Sequence, residues 1–442
     1  MSTGPSVIEK ARPRALPQPL TAICAGLMVL GVVAFLYGLA TNPQVAWLAY
    51  HTNFVYFATL SQGAFILVCA FVIVGARWPG PLRRIAEGLA AWVPVSLVLA
   101  CIGYFGGDYL FEWLREGAVH GKEPWLNATR FYITDIGILG VMAVLAIIFL
   151  KASVRPTLGG DASQRMNGFA KSMADRWTAG WRGDAEEREA SRARLSKMAP
   201  GIVLFFAMGY SVLIFDQVMS MEQTWYSNLF GAFVSWGGIL SAVAAIALLS
   251  LFHRNSPTVG EGITEERLHD IGKMLFAFSI FWMYLFFSQY LVIWYGNLPE
   301  ETSFFLDRLG PQFLNDKGDT PLEWALAWSD WNFSWERFDQ NYAWLSMVVW
   351  ACIWIIPFWV LLGQRPKKTP WILGPVAGIV LLGFWLERTL LIWPSVIKEE
   401  NTLYLGPIPI LIALGFFGAF GLVFLFYTRV FPSLAAEEQA ES

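Results

Sequence analysis

The sequence predicts an all-α integral membrane protein with about ten transmembrane helices. Three observations carry that expectation. Hydrophobic residues make up 56% of the 442 and charged residues 15%, against about 25% charged in a soluble domain; the mean hydropathy is +0.48. Ten stretches each hold the roughly 20 mostly apolar residues that a span requires. Those stretches do not alternate apolar and polar residues as barrel strands do, and lipid leaves no partner for open backbone groups, so they read as helices.

Residues 1–19 are polar and proline-rich, with no small-residue cleavage site after an apolar core, and read as a cytoplasmic tail, not a signal peptide. The spans fall at 20–41, 50–75, 87–107, 129–150, 199–220, 226–252, 269–296, 342–363, 371–395 and 403–428, with a short tail over 432–442. Spans two to five and six to nine suggest two four-helix bundles plus two additional helices. Many of the 22 tryptophans lie near span ends, as in an interfacial aromatic belt. With the N-terminus inside, inner segments carry about 22 of the 31 basic residues, outer loops about six and the spans three. The positive-inside rule therefore puts both termini in the cytoplasm. The inner loop 151–198 mixes charges and is expected to form a surface helix or docking surface. The outer loop 297–341 carries nine acids against three bases and many aromatic residues; it suits either a protein partner or a locally folded, solvated loop.

Composition also excludes chemistry. The net charge of −3, with no basic tail, gives nothing for nucleic acid. Cys24, Cys69, Cys101 and Cys352 all lie within apolar runs, and no CxxC, CxxxC or CxxCH spacing occurs, so iron–sulfur clusters and c-type haem lack their ligands. Of the four histidines, His120 and His253 fall in loops, which leaves too few for a two-haem bundle. No metal site is expected.

Function is then carried by ionisable residues inside the spans, each costing about 2.5–3.5 kcal/mol on insertion scales. In the seventh span His269, Lys273, Tyr284, Ser288 and Tyr295 share a stripe at about 100° per residue, with Gln289 beside it. The stripe either faces the bundle interior and carries protons, or leaves Lys273 to snorkel and the tyrosines in the aromatic belt. The fifth span ends in Asp216, followed by Glu222. The fourth contributes Asp135, with Arg130 about one turn earlier, and the ninth Glu387 and Arg388. Adjacent residues on a helix point about 100° apart, so Glu387 and Arg388 are expected to reach different neighbours, with Asp135 or Asp216 meeting the arginine. Asp108, Asp135, Asp216, Gln289, Glu387 and Arg388, together with His51, fall in the outer half. His51 opens the second span, with Gln62 on the same face three turns deeper. The buried carboxylates are either proton acceptors or partners in structural ion pairs.

Several runs go further. FDQVMSMEQTWYSNLFG (Phe215 to Gly231), KMLFAFSIFWMYLFFSQYLVIWYGNLPEET (Lys273 to Thr302), HTNFVYFATLSQGAFILV (His51 to Val68) and RRIAEG (Arg83 to Gly88) resemble the membrane subunits of alternative complex III. That bacterial quinol:cytochrome c oxidoreductase has two large membrane subunits of the NrfD/polysulfide-reductase-like family. Length, span number and the SQYLVIWYGNLPEE form are more similar to the ActF-type subunit than to its longer sister. The resemblance implies a bacterial inner-membrane protein that contributes to quinol-linked electron transfer and proton translocation without a redox cofactor of its own. A quinone or quinol is the one cofactor the chain could contact, with His51 as a weak candidate for its carbonyl. Haem c and iron–sulfur clusters are expected in partner subunits: a sister NrfD-like subunit, an iron–sulfur/molybdopterin-like subunit, and multihaem and monohaem cytochromes c. Asp216, Glu222, Ser288, Gln289, Glu300 and Glu301 carry over by position in the motifs only. Two other readings stand beside this one. The chain could be a quinone-binding anchor of a molybdopterin oxidoreductase. It could also be a secondary transporter, although Pro94, Pro357 and Pro394 do not form the matched helix breaks that such a fold uses.

Overall fold

A computed structural model describes residues 17–115, 121–158, 168–254, 262–309, 342–397 and 405–430. Within these, ten helical stretches are long and apolar enough to cross a membrane, matching the ten expected from sequence. In chain order the helices are α1 (Gln18–Thr41), α2 (Pro43–Ile73), α3 (Pro81–Ala90), α4 (Val93–Gly103), α5 (Ala128–Leu158), α6 (Gly168–Trp177), α7 (Asp184–Gln217) and α8 (Phe230–His253). They continue as α9 (Glu265–Gly296), α10 (Pro299–Leu309), α11 (Ala343–Trp350), α12 (Ile356–Val360), α13 (Gln364–Lys368), α14 (Pro370–Val396) and α15 (Pro407–Val430). Most of the outer acidic loop, residues 310–341, lies outside the described residues, as do His120 and residues 159–167 of the inner loop.

The expected pair of bundles is present. Helix α2, the α3–α4 span, α5 and α7 close one ring of contacts; α8, α9, the α11–α12 span and α14 close the other. Helices α1 and α15 pair with each other and lie against α2 and α3. The two bundles meet along α2, which is buried on every face from Val45 to Cys69. That central position keeps its polar side chains, His51, Asn53 and Gln62 among them, away from lipid, where they would be costly. At the seam a Cβ on Gly63 would collide with the backbone of Gly238, and one on Gly238 with the backbone of Thr59. Small residues thus let α2 and α8 cross backbone to backbone, the packing that replaces hydrophobic drive in a membrane.

Proline accounts for two interruptions. The third span breaks at Ala91–Trp92, because Pro94 has no N–H for the Ala90 carbonyl one turn earlier. The eighth widens into a π-turn over Ala351–Ile355, just ahead of Pro357, which likewise cannot bond back to Ile353.

The inner loop holds the expected surface helix, α6, among its described residues; beyond expectation, α5 runs on to Leu158 and α7 starts at Asp184, so both spans project beyond their apolar parts. The run AEEREASRARLSK explains the second extension, since its alanines and alternating charges favour helix well past the lipid boundary. The end of the molecule bearing these extensions is the basic pole.

Candidate proton-handling site

A cluster of buried charge lies between α2, α5 and α7, at the pole opposite the basic one. Asn127 starts α5 by accepting the backbone N–H of Arg130 at 2.8 Å, a side-chain cap that fixes the first turn. The Arg130 guanidinium then stacks on the Trp125 ring, 4.2 Å from its centroid. Its Nε donates to the Trp125 carbonyl at 2.7 Å. Nη1 and Nη2 donate to the two Asp216 carboxylate oxygens at 2.6 and 2.8 Å. Asp216 is wholly buried, and Ser220 Oγ holds its carbonyl at 2.5 Å. The neighbouring Gln217 uses both of its ends: Nε2 donates to Asp135 Oδ2 at 2.6 Å, and its backbone carbonyl accepts His51 Nε2–H at 2.8 Å.

Asp135 lies close enough to Asp216 for the two carboxylates to interact electrostatically, while no donor among the described residues reaches its buried Oδ1. Asp216 thus takes both prongs of the guanidinium, and Asp135 beside it has no ion pair among the described residues. Unit charges about 4 Å apart at an effective dielectric near 20 repel by about 4 kcal/mol, more than a neutral hydrogen bond returns. A proton between the carboxyl groups removes that repulsion and supplies the missing donor. The site can thus hold an exchangeable proton while Arg130 fixes the second charge.

The first bundle carries two further polar points. His51, Gln62 and Cys69 lie 11 and then seven residues apart on α2, close to whole numbers of turns, and so share a face. Midway, Tyr210 donates to Gln62 Oε1 at 3.4 Å. Towards the basic pole Glu87, also wholly buried, pairs with Arg84 at 2.6 Å and Arg83 at 3.2 Å. It also accepts from Ser153 Oγ at 2.6 Å and from Tyr427 at 3.3 Å. From His51 to Cys69 the rise is about 27 Å at 1.5 Å per residue, close to the roughly 30 Å hydrocarbon thickness.

Other expected residues are arranged differently. Glu387 and Arg388 pair with each other, correcting the expectation that they reach separate neighbours. Both lie in the packed interior of the second bundle, where Arg388 Nη2 is anchored on the Val234 carbonyl at 2.9 Å, and Asp216 has Arg130 instead. The seventh-span stripe does not face this chain's interior. Lys273, Tyr284 and Tyr295 are exposed, Tyr295 at 85%, and Ser288 and His269 are half-buried. Lys273 bonds Asp270 at 2.7 Å. The inward face of α9 carries Leu275, Trp282 and Leu285, and includes Gln289, which accepts from Ser227 Oγ at 3.3 Å. Spacing alone identifies a shared face but not which way it turns. Asp108 is exposed. Half-buried Glu222 follows α7 and adds negative charge near Arg308.

Arg308 itself escaped the sequence reading. It is buried on α10, donates to the Phe304 and Leu391 carbonyls and to Ser395 Oγ, and stacks on Phe304 at 3.5 Å. Burial pulls its guanidinium down to about 10, against the opposing pull of Asp307 and Glu222. The nearby string of phenylalanines was its only sequence signal.

His51 does not fit a quinone carbonyl. Its Nε2–H is committed to Gln217, and its buried ring packs on Phe54 and Phe111. Among the described residues no three His, Cys, Asp or Glu side chains cluster as a metal site would require. No protein-family model matches the chain, and no curated protein matches it.

Proposed function

We propose that this chain is the proton-handling membrane subunit of a bacterial quinol:cytochrome c oxidoreductase of the alternative complex III type. Its setting is the inner membrane, with both termini cytoplasmic. The observation that carries the proposal is the buried Asp135–Asp216 pair served by the single guanidinium of Arg130. A structural ion pair needs one carboxylate, and the second has a use if it takes up and releases a proton. The motif runs around Asp216 and Gln289 support the family assignment, and the scarcity of histidine and cysteine ligands suits a subunit whose haem and iron–sulfur partners hold the redox centres. The anchor reading draws no support from His51, whose donor is already engaged.

The route runs through the first bundle. Asp135 and Asp216 form the outer acceptor, with Gln217 and His51 orienting it. Gln62 and Tyr210 supply hydrogen-bonding groups halfway across. Glu87, held by Arg83, Arg84, Ser153 and Tyr427, is the route's carboxylate on the side of the basic pole. Arg130 stays charged throughout, since guanidinium does not give up its proton in proteins, and so balances whichever carboxylate is ionised. The test is Asp135→Asn in the purified complex, reconstituted in vesicles, with proton translocation and quinol oxidation measured together. Loss of proton movement with oxidation retained supports the proposal; loss of neither refutes it.

A further inference from the structure

At the basic pole, well away from these carboxylates, a small, partly open cavity of about 80 Å³ lies between the projecting ends of α5 and α7. It is lined by Ala152, Arg155, Arg182, Glu187, Ser191 and Arg194, together with Ala190. Its walls are tied down locally. Pro156 cannot donate to the Ala152 carbonyl one turn earlier, and Ser191 Oγ does so instead, at 2.7 Å. Arg155 grips Glu187 through Nε and Nη2 at 2.6 and 2.9 Å, and also donates to the Trp177 and Ala179 carbonyls.

That pairing neutralises Glu187 and uses Arg155's donors, leaving two guanidiniums for the cavity. Arg182 makes loose ion pairs with Glu186 and Glu187 at 3.8 Å, beyond hydrogen-bonding distance, so these contacts do not occupy its N–H donors. Arg194 is exposed and forms no ion pair among the described residues. The depth is also informative. The apolar part of α5 ends at Leu150 and that of α7 begins at Ala199. Arg155 and Arg194 are each five residues further out, about 7.5 Å at 1.5 Å per residue, the level of lipid headgroups. Forked guanidiniums in a walled cavity at that depth match the oxygens of a phosphate group better than a point charge would.

We propose that this cavity binds a phosphate group, either the headgroup phosphate of an anionic phospholipid or free inorganic phosphate, on Arg182 and Arg194. The site is independent of the proton route. The purified full-length chain in neutral detergent is titrated with inorganic phosphate, with chloride at equal ionic strength as control, and separately transferred into vesicles of phosphatidylcholine with or without phosphatidylglycerol. Thermal unfolding is followed by tryptophan fluorescence in each case. The expected result is a rise in Tm in at least one arm. Phosphate alone raising it identifies the free anion, and phosphatidylglycerol alone identifies the headgroup. In Arg182→Gln/Arg194→Gln, whose unliganded Tm should be unchanged because both side chains are exposed, the apparent Kd should rise at least about tenfold. A wild-type chain that responds in neither arm, or a double variant that responds as strongly as wild type, overturns the proposal.

Discussion

Arg130 and Asp216, 86 positions apart, form a two-pronged ion pair of 2.6 and 2.8 Å that ties the start of α5 to the end of α7. One prong on each carboxylate oxygen leaves Asp216 with its charge balanced and Asp135, alongside, without a cation of its own. Removing the guanidinium should therefore do more than delete a contact. Arg130→Ala leaves a buried carboxylate unpaired, which costs about 3–5 kcal/mol, tempered because the Arg130 side chain is 21% exposed. Arg130→Lys keeps the charge but loses the fork and should fall between Ala and wild type. Thermal or denaturant unfolding in detergent measures both.

The Glu87 cluster should behave as a unit. Glu87→Ala strips the counter-charge from Arg84 and Arg83 and is expected to cost about 3–5 kcal/mol. Tyr427→Phe, which removes one hydrogen bond of 3.3 Å, should cost about 1 kcal/mol. A Glu87/Ser153 double-mutant cycle should show non-additivity of at least about 0.5 kcal/mol, since Ser153 Oγ both donates to Glu87 and accepts from Arg84.

At the seam between bundles, Gly63→Ala should destabilise by at least about 1–3 kcal/mol, because the added methyl meets Gly238 backbone that cannot rotate away. Gly26→Ala on α1, where nothing lies within 4 Å, should be neutral or stabilising by up to about 1 kcal/mol through helix propensity. Comparing the two unfolding midpoints isolates the crossing from the general effect of glycine.

Lys273→Met tests the outward stripe. The lysine side chain is half exposed and its partner Asp270 sits one turn away on the same helix, a pair worth about 0.5 kcal/mol or less. Stability should change within that margin. Proton translocation by the assembled complex should also be unchanged, since the route runs through the other bundle. A collapse of translocation in this variant would move the route to α9.

Much of this was legible in the sequence. Apolar length located all ten spans, because a helix in lipid has one way to satisfy its backbone. The two bundles followed from span order, and the cost of burying charge singled out Asp135, Asp216 and Glu387 before any contact was known. Partners were harder to read. Arg130 was visible five residues before Asp135, but its bond to Asp216 joins helices separated by a long loop, and nothing local encodes that. Periodicity gathered Lys273, Tyr284 and Ser288 on one face without saying which way it turned; both faces of α9 are rich in apolar side chains, so hydrophobicity alone could not choose the one with Trp282 and Leu285 that faces the interior. Arg388 pairing with Glu387 shows that long side chains bend past the 100° between adjacent positions when no other counter-charge among the described residues is in reach.

The central claim is that Asp135 carries a proton beside a permanently balanced Asp216. It is tested most directly by the ratio of protons translocated to electrons transferred, measured in vesicles containing the purified complex with Asp135→Asn. The account predicts that quinol oxidation persists while the translocation ratio falls to that of quinol chemistry alone. A wild-type ratio in that variant would contradict it.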